Sequence, residues 1–432
     1  MNSLINPITF LINKGFRCAA KAFMLICINI CHYLFNEKIL VYFLFCSCGF
    51  NNNSYQQQEG DLISEPPYYI SLEREIDKIS QADLTEIGNT ITYIPLETSD
   101  NILLKPLRSI KVSSLHIAVV DLNRLFIFNH SGNFISQIGR RGGGPGEYNQ
   151  IYGYTFSFDS KNMYVLADAA SKCLEYEVTG KFLKSNKVDS LPCDMLPLTD
   201  STFVFYCLNT ANHMRASHTQ QSLIISDLNN IKKTYPNYFK MNNKQMINFS
   251  VAPFYSCQGN IRFKEYGVDT LYTVTENELF TYSVFSLGNK EIPLNLVVPQ
   301  AEFSRIIDSY AGSKYFIRSI VEDNDNIYIE LNDFNNSLYS YFNKLTNTVK
   351  VIGDKGFQNN IDGGLPFFPK YVYNDSILVD YLNAFDLREH VLESDATEMK
   401  RLYGKNYDDL VKLANSLDDE SNPVVVMVNN NR

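Results

Sequence analysis

"DLNRLFIFNHSGNFISQIG" at residues 121–139 returns about 47 residues later as "DAASKCLEYEVTGKFLKSNKV" at 168–188. Each copy runs from an aspartate through an alternating strand and a glycine-centred turn into a second strand. The turns are Ser131-Gly132-Asn133 and Thr179-Gly180-Lys181. A weaker third copy, "DNDNIYIELNDFNNSLYSYFNKLTNTVKVIG", occupies 323–353. Four-stranded units repeating at roughly 40 to 50 residues are the signature of propeller blades, each of which needs neighbours to cover its apolar faces. Short strands such as "TITYIPL" (90–96), "HIAVVD" (116–121), "MYVLAD" (163–168) and "TFVFYCL" (202–208) fill the intervals. Turn signals fall every 8 to 12 residues or so between them, the spacing of an all-β fold.

The expectation is therefore an all-β, six-bladed β-propeller, with seven blades as the alternative, and a short C-terminal helix. Two segments have helix-forming composition: "SLEREIDKI" at 71–79, and "ESDATEMKRLYGKNYDDLVKLANSL" at 393–417, which Gly404 interrupts. The following "NPVVVMVN" (422–429) reads as a returning strand that closes the ring by pairing with an early blade.

Composition agrees. Tyr 28 and Phe 29 with Trp 0 favour aromatic-rich strands and argue against the tryptophan-marked WD type. The net charge of −9, with basic residues no more than paired, as in Arg140-Arg141, speaks against nucleic acid. Beyond the front of the chain, Cys173, Cys193, Cys207 and Cys257 show no CxxC spacing, so zinc has no support. They are expected to be buried thiols, with one disulfide after export as the alternative.

The front reads as an address. Lys38 precedes an apolar run from Ile39 to Phe45, then Ser47-Cys48 and a stretch rich in Asn and Gln. The order of charge, short greasy segment and small residue is that of a secretory signal, and the run is too short to span a bilayer. It also resembles a bacterial lipoprotein signal, which implies lipidation of Cys48, although Phe45 and Cys46 depart from the usual residues. An earlier greasy stretch, "AFMLICINICHYLF" (22–35), leaves a retained anchor, a later start codon or a buried helix as alternatives. The expected division is a leader at 1–48, a flexible linker at 49–68 and one propeller domain at 69–432.

"GGGPGE" at 142–147 raises the question of a phosphate loop. A P-loop needs Gly-Lys-Ser/Thr at its end, because the lysine and hydroxyl meet phosphate and Mg²⁺. Glu147 stands in its place. A dinucleotide fingerprint fails because Pro145 and Glu147 open no helix in a βαβ unit. The reading left is a structural turn between blades, built on Gly142, Gly143, Gly144, Pro145 and Gly146.

"FNHSGNFISQIGRRGGGPGEY" (128–148) is similar to the blade junction of NHL-type propellers, and more closely to six-bladed β-propeller lipoproteins of Bacteroides and relatives. "ITYIPLETSDNILL" (91–104), "FKEYGVDTLYTVTENEL" (263–279), "GDKGFQNNIDGGLPFFP" (353–369) and "SNPVVVMV" (421–428) carry the same resemblance. It implies a propeller in the bacterial cell envelope, lipid-anchored to a membrane, with a binding or accessory role. The lack of an acidic cluster in "GFNNNSY" (49–55), directly after Cys48, favours the periplasmic side.

Catalytic signatures are sparse. His116, His130, His213, His218 and His390 show no metal spacing, and no GxSxG elbow occurs. Asp323 with Asp325 and Asp418 with Asp419 would hold Ca²⁺, act as paired carboxylates or serve as turn and solubility residues, the last being expected; no cofactor is expected otherwise. Binding loops are expected at 140–148, 209–220 and 359–369. There Arg140 and Arg141 would engage an anion, and Tyr148, Tyr152, Phe367 and Phe368 would stack on a sugar or peptide. The leading reading is an envelope binding module for a glycan, peptide or protein partner. A metal-dependent propeller enzyme (lyase, lactonase or glycan-cleaving) is the alternative.

Overall fold

The computed structural model describes residues 65–168, 172–188, 192–207, 221–237, 253–265, 267–293 and 300–429. The expected leader with Cys48, and the loop at 209–220 with His213 and His218, lie outside them. Six sheets of four antiparallel strands, one of them extended by a fifth, form a six-bladed propeller, which excludes the seven-bladed alternative. Blades 1 to 5 span 107–138, 151–187, 194–236, 254–286 and 316–353. Blade 6 takes its three inner strands, Tyr371–Tyr373, Ile377–Leu382 and Val424–Asn429, from the end of the chain, and its outermost strand, Thr90–Pro95, from the beginning. The register Thr90↔Asn429 to Pro95↔Val424 is thus the ring closure expected of "NPVVVMVN".

Strand composition follows from radial packing. The middle strands of a blade are covered on both faces, so they read as continuous apolar runs rather than half-polar alternations. In blade 1, Ala118, Val120, Leu125 and Ile127 pack toward blade 2, while Ile117, Val119, Phe126 and Phe128 pack toward Val379 and Val425 of blade 6. Outermost strands are wetter: Phe182–Lys187 and Ile231–Pro236 are exposed along most of their length.

The repeated aspartate has a structural task. Asp121 and Asp168 stand at the corner between the second and third strands of blades 1 and 2, and Asp333 holds the same corner in blade 5. Each accepts a backbone N–H from the segment entering its blade: Lys105 N at 2.7 Å, Asn149 N at 2.8 Å and Gly312 N at 2.7 Å. A short carboxylate that takes a backbone donor from the entering segment ties blade to connection, which explains its place in the repeat.

Helices are more extensive than expected. Helix α1 (Gln300–Ser309) lies between blades 4 and 5. Helices α2 (Ala384–Glu393), α3 (Ala396–Tyr403) and α4 (Lys405–Ser416) form an insertion between the second and third strands of blade 6. Asn383 caps α2 by accepting Phe385 N–H, and Asp395 caps α3 by accepting from Thr397 and Glu398. Gly404 separates α3 from α4 at φ +58°, as its position in the sequence implied. Leu387, Val391, Tyr407, Leu410 and Ala414 bury the insertion against Tyr93 and Leu382 of blade 6. Residues 71–79 form hydrogen-bonded turns instead of the expected helix, because the preceding Tyr68–Ser71 is drawn out as a fifth, parallel strand on the edge of blade 4.

Candidate binding site

Strand alternation sorts the connections onto two ends of the propeller. The first-to-second and third-to-fourth strand turns are short and share one end, where Gln258, Asn324 and Asp375 link the hairpin tips of blades 4, 5 and 6. The connections between blades, the second-to-third strand corners, α1 and the α2–α4 insertion all belong to the other end. Long irregular segments on a rigid scaffold are where binding residues concentrate. The segments 140–148 and 359–369, both picked out in the sequence, are on this end.

The glycine run is organised around its own glutamate. Glu147 accepts the Gly144 N–H at 2.9 Å and the Arg140 Nε–H at 2.9 Å, and these bonds hold its carboxyl below the usual range. A side chain at Gly142 would meet that carboxylate at 2.1 Å, and Gly146, at φ +70°, lies against Phe182. The protein's own anion therefore fills the place that a phosphate would take in such a loop.

The proposed contact residues separate into two groups. Tyr148 is 1% exposed with its hydroxyl on the Ile138 carbonyl, and Phe367 and Phe368 are buried among Tyr328, Tyr341 and Phe357. Phe368 stacks on Tyr339 with ring centroids 4.1 Å apart. These three aromatics present no stacking face to solvent, because apolar rings beside glycine turns are driven into the inter-blade core. Arg140, Arg141 and Tyr152 remain at the surface; Arg140 is paired with Glu147, and Tyr152 is 37% exposed.

The ionisable groups of the interior serve mainly as inter-blade ties. Glu322 is fully buried and accepts from Lys344 Nζ at 2.7 Å, from Tyr255 at 3.0 Å and from Tyr282, whose ring lies under the Arg262 guanidinium. This group joins blades 4 and 5. Lys111 and Asp194 approach to 3.9 Å, where burial pushes the lysine down and the aspartate up. His130 and His390 meet the carbonyls of Ser113 and Gly363, while His116 stacks on Phe156. Asp323 accepts from the backbone of Asp325 and Asn326 and from Tyr328; Asp418 accepts from Glu420 N–H, and Asp419 pairs with Arg388. Among the described residues, no three His, Cys, Asp or Glu side chains are gathered so as to hold a metal ion. Cys173, Cys207 and Cys257 are free thiols, and burial pushes them up to about 12.

Sequence reasoning missed a groove of about 490 Å³ between the outermost strand of blade 6 and α4. Asn89 to Tyr93 form one wall, Asn406, Asp409, Leu410 and Leu413 the other, and Ile361 with Asp362 the end. Tyr93 donates its hydroxyl to Asp362 at 3.2 Å, and Asn406 Nδ2 donates to the Ile361 carbonyl at 3.1 Å. Only the pairing of the two chain ends brings residues 89–93 beside 361–413, so local sequence carried no signal for it.

Comparison with known proteins agrees with the architecture. The chain is similar to a crystal structure of a Bacteroides fragilis protein described as exported, with 19% identity and a TM-score of 0.63 over 84% of this chain and 99% of that one. A member of the DUF4221 family from Bacteroides vulgatus shares 12% identity over 62% of this chain and 87% of its own, with a TM-score of 0.45. At such identities the first likeness is one of fold. No curated protein matches the sequence. The family profile described as Domain of unknown function (DUF4934) matches residues 67–429, and the chain belongs to that family.

Proposed function

We propose that the protein is a binding or interaction module of the bacterial cell envelope. In this reading lipid on Cys48 anchors it to a membrane on the periplasmic side, and the partner is a glycan, a peptide or an envelope protein. The observation that carries the reading is the asymmetry of the propeller: the long connections and all four described helices belong to one end, and tight hairpins close the other. Support for the address comes from the order Lys38, apolar run, Ser47-Cys48, and from the description of the Bacteroides fragilis relative as exported.

The test is full-length protein, immobilised through a C-terminal tag and exposed to a panel of envelope glycans, peptidoglycan fragments and defined peptides. Binding that weakens in Arg141→Glu or Tyr152→Ala, but not in the hairpin-end variant Lys161→Glu, is expected. A panel with no binder at all contradicts the reading, and release of a cleaved product replaces it with a catalytic one.

A further inference from the structure

We infer that the groove on blade 6 is a β-augmentation site, which takes an extended segment of a partner polypeptide with apolar residues at alternate positions and basic residues between them. The inference rests on the binding reading above and names its surface and the chemistry of its partner.

The first ground is backbone geometry. Leu96 N–H donates to the Pro423 carbonyl, so in the register of this strand pair Thr90, Thr92, Ile94 and Leu96 turn their backbone groups toward Val424–Asn429. Ile91 and Tyr93 turn theirs the other way, into the groove. In that register neither takes part in the ladder with Val424–Asn429. Two residues spaced by two along an extended strand offer the donor–acceptor ladder that an added strand needs, and Pro95 ends the open stretch.

The second ground is how the other edges are treated. Blades 2 and 3 carry Lys184, Lys187, Lys232 and Lys233 on their outermost strands, a common protection against unwanted pairing. The outermost strand of blade 4 is covered by the chain itself: Tyr68–Ser71 lies parallel on it from Tyr68↔Ser283 to Ser71↔Ser286. Tyr68 and Ile70 turn inward and are buried, while Tyr69 is 74% exposed. Thr90–Pro95, like Phe134–Ile138 of blade 1, carries no charged side chain and has no strand on it, and its one protective residue is Pro95 at its end.

The groove also states what would enter. Ile91, Ile361, Leu410 and Leu413 offer apolar contact to every second side chain, as the core beneath Tyr68 and Ile70 does in blade 4. Its charged lining is Asp362, which is buried and accepts from Tyr93 and Gly364, and Asp409, which is half exposed and pairs with Lys412 at 2.7 Å; no lysine or arginine lines the groove itself, so basic side chains are matched and acidic ones opposed. Helix α4 forms the far wall of the groove, opposite the strand.

The probe is an amidated octapeptide of alternating valine and lysine, added to the full-length protein and read by amide hydrogen exchange and fluorescence anisotropy. The expected result is slowed exchange at Ile91 and Tyr93, with no binding by a copy N-methylated at alternate residues. A valine–glutamate copy should bind at least tenfold more weakly. Asp409→Lys should weaken the lysine peptide roughly tenfold without changing the exchange of Thr92, which reports an intact sheet. Unchanged exchange at Ile91 and Tyr93 at saturating peptide overturns the inference. If envelope components still bind the protein and Asp409→Lys leaves that binding intact, the binding reading survives while this site falls. A concentration-dependent dimer that Ile91→Pro abolishes would identify a second copy as the occupant and would equally overturn it.

Discussion

Blades 4 and 6 carry the same structure to different ends. In blade 4 the outermost strand has a neighbour, Tyr68–Ser71, whose alternate side chains fall into the core with Leu72 and Ile76. In blade 6 the outermost strand comes from the same stretch of chain, about twenty residues on, and its outward edge meets a groove. One N-terminal segment therefore completes one sheet and leaves another able to be completed. The difference teaches that an open edge here is a local choice, since the chain covers an equivalent edge within the same fold.

The covered edge is tied to the interior. Tyr68 packs edge-on against Tyr282 with ring centroids 5.5 Å apart, and Tyr282 donates to Glu322. Glu322→Gln leaves Lys344 and Arg262 buried beside a neutral group, and should cost about 3–5 kcal/mol in urea unfolding. Ile70→Ala removes an anchor of the added strand and should cost about 3 kcal/mol. If either loss is close to zero, the fifth strand of blade 4 is an appendage and the comparison fails.

A proline scan sharpens the contrast. Val284 is paired on both sides, with Tyr69 and with Thr270, so Val284→Pro removes a ladder bond whichever way its N–H faces. The expected cost is about 3 kcal/mol, against about 1 kcal/mol for Ile91→Pro, which loses side-chain packing but no backbone bond. Equal costs would mean that the Ile91 N–H is already engaged.

The smallest effect is a dependence on pH. Burial holds the Asp362 carboxyl above the ordinary aspartate range, beside Tyr93 and Asn359; the hydrogen bond from Lys412 holds Asp409 below it, with Lys405 nearby. A lysine-bearing peptide needs both carboxylates ionised. Its affinity should be full at neutral pH, fall first as Asp362 takes a proton on acidification, and fall again as Asp409 follows. An affinity flat through both steps would remove charge from the account of the groove.

Much of this architecture was legible in the residues. The repeat at 121–139 and 168–188 marks the outer two strands of blades 1 and 2, and the copy at 323–353 marks three strands of blade 5. "NPVVVMVN" announced the closing strand because a β-branched run after a helix has few other uses. Helix α2 was not foreseen, since "AFDLREHVLE" is short and its apolar face takes meaning only against blade 6. The aromatic candidates misled for a related reason: a phenylalanine beside a glycine turn reads alike whether it faces solvent or the next blade. Arg141 and Tyr152 were legible as surface residues, but a groove whose walls lie some 300 residues apart in sequence was not.

The most direct measurement is native-state amide hydrogen exchange on the free full-length protein, resolved to single residues in the two outermost strands. Protected Thr92 and Ile94 beside fast-exchanging Ile91 and Tyr93, with Ser283, Val284 and Phe285 all protected in blade 4, is the predicted result. Protection of Ile91 and Tyr93 equal to that of Thr92 would show the edge already covered, and would contradict the account at its centre.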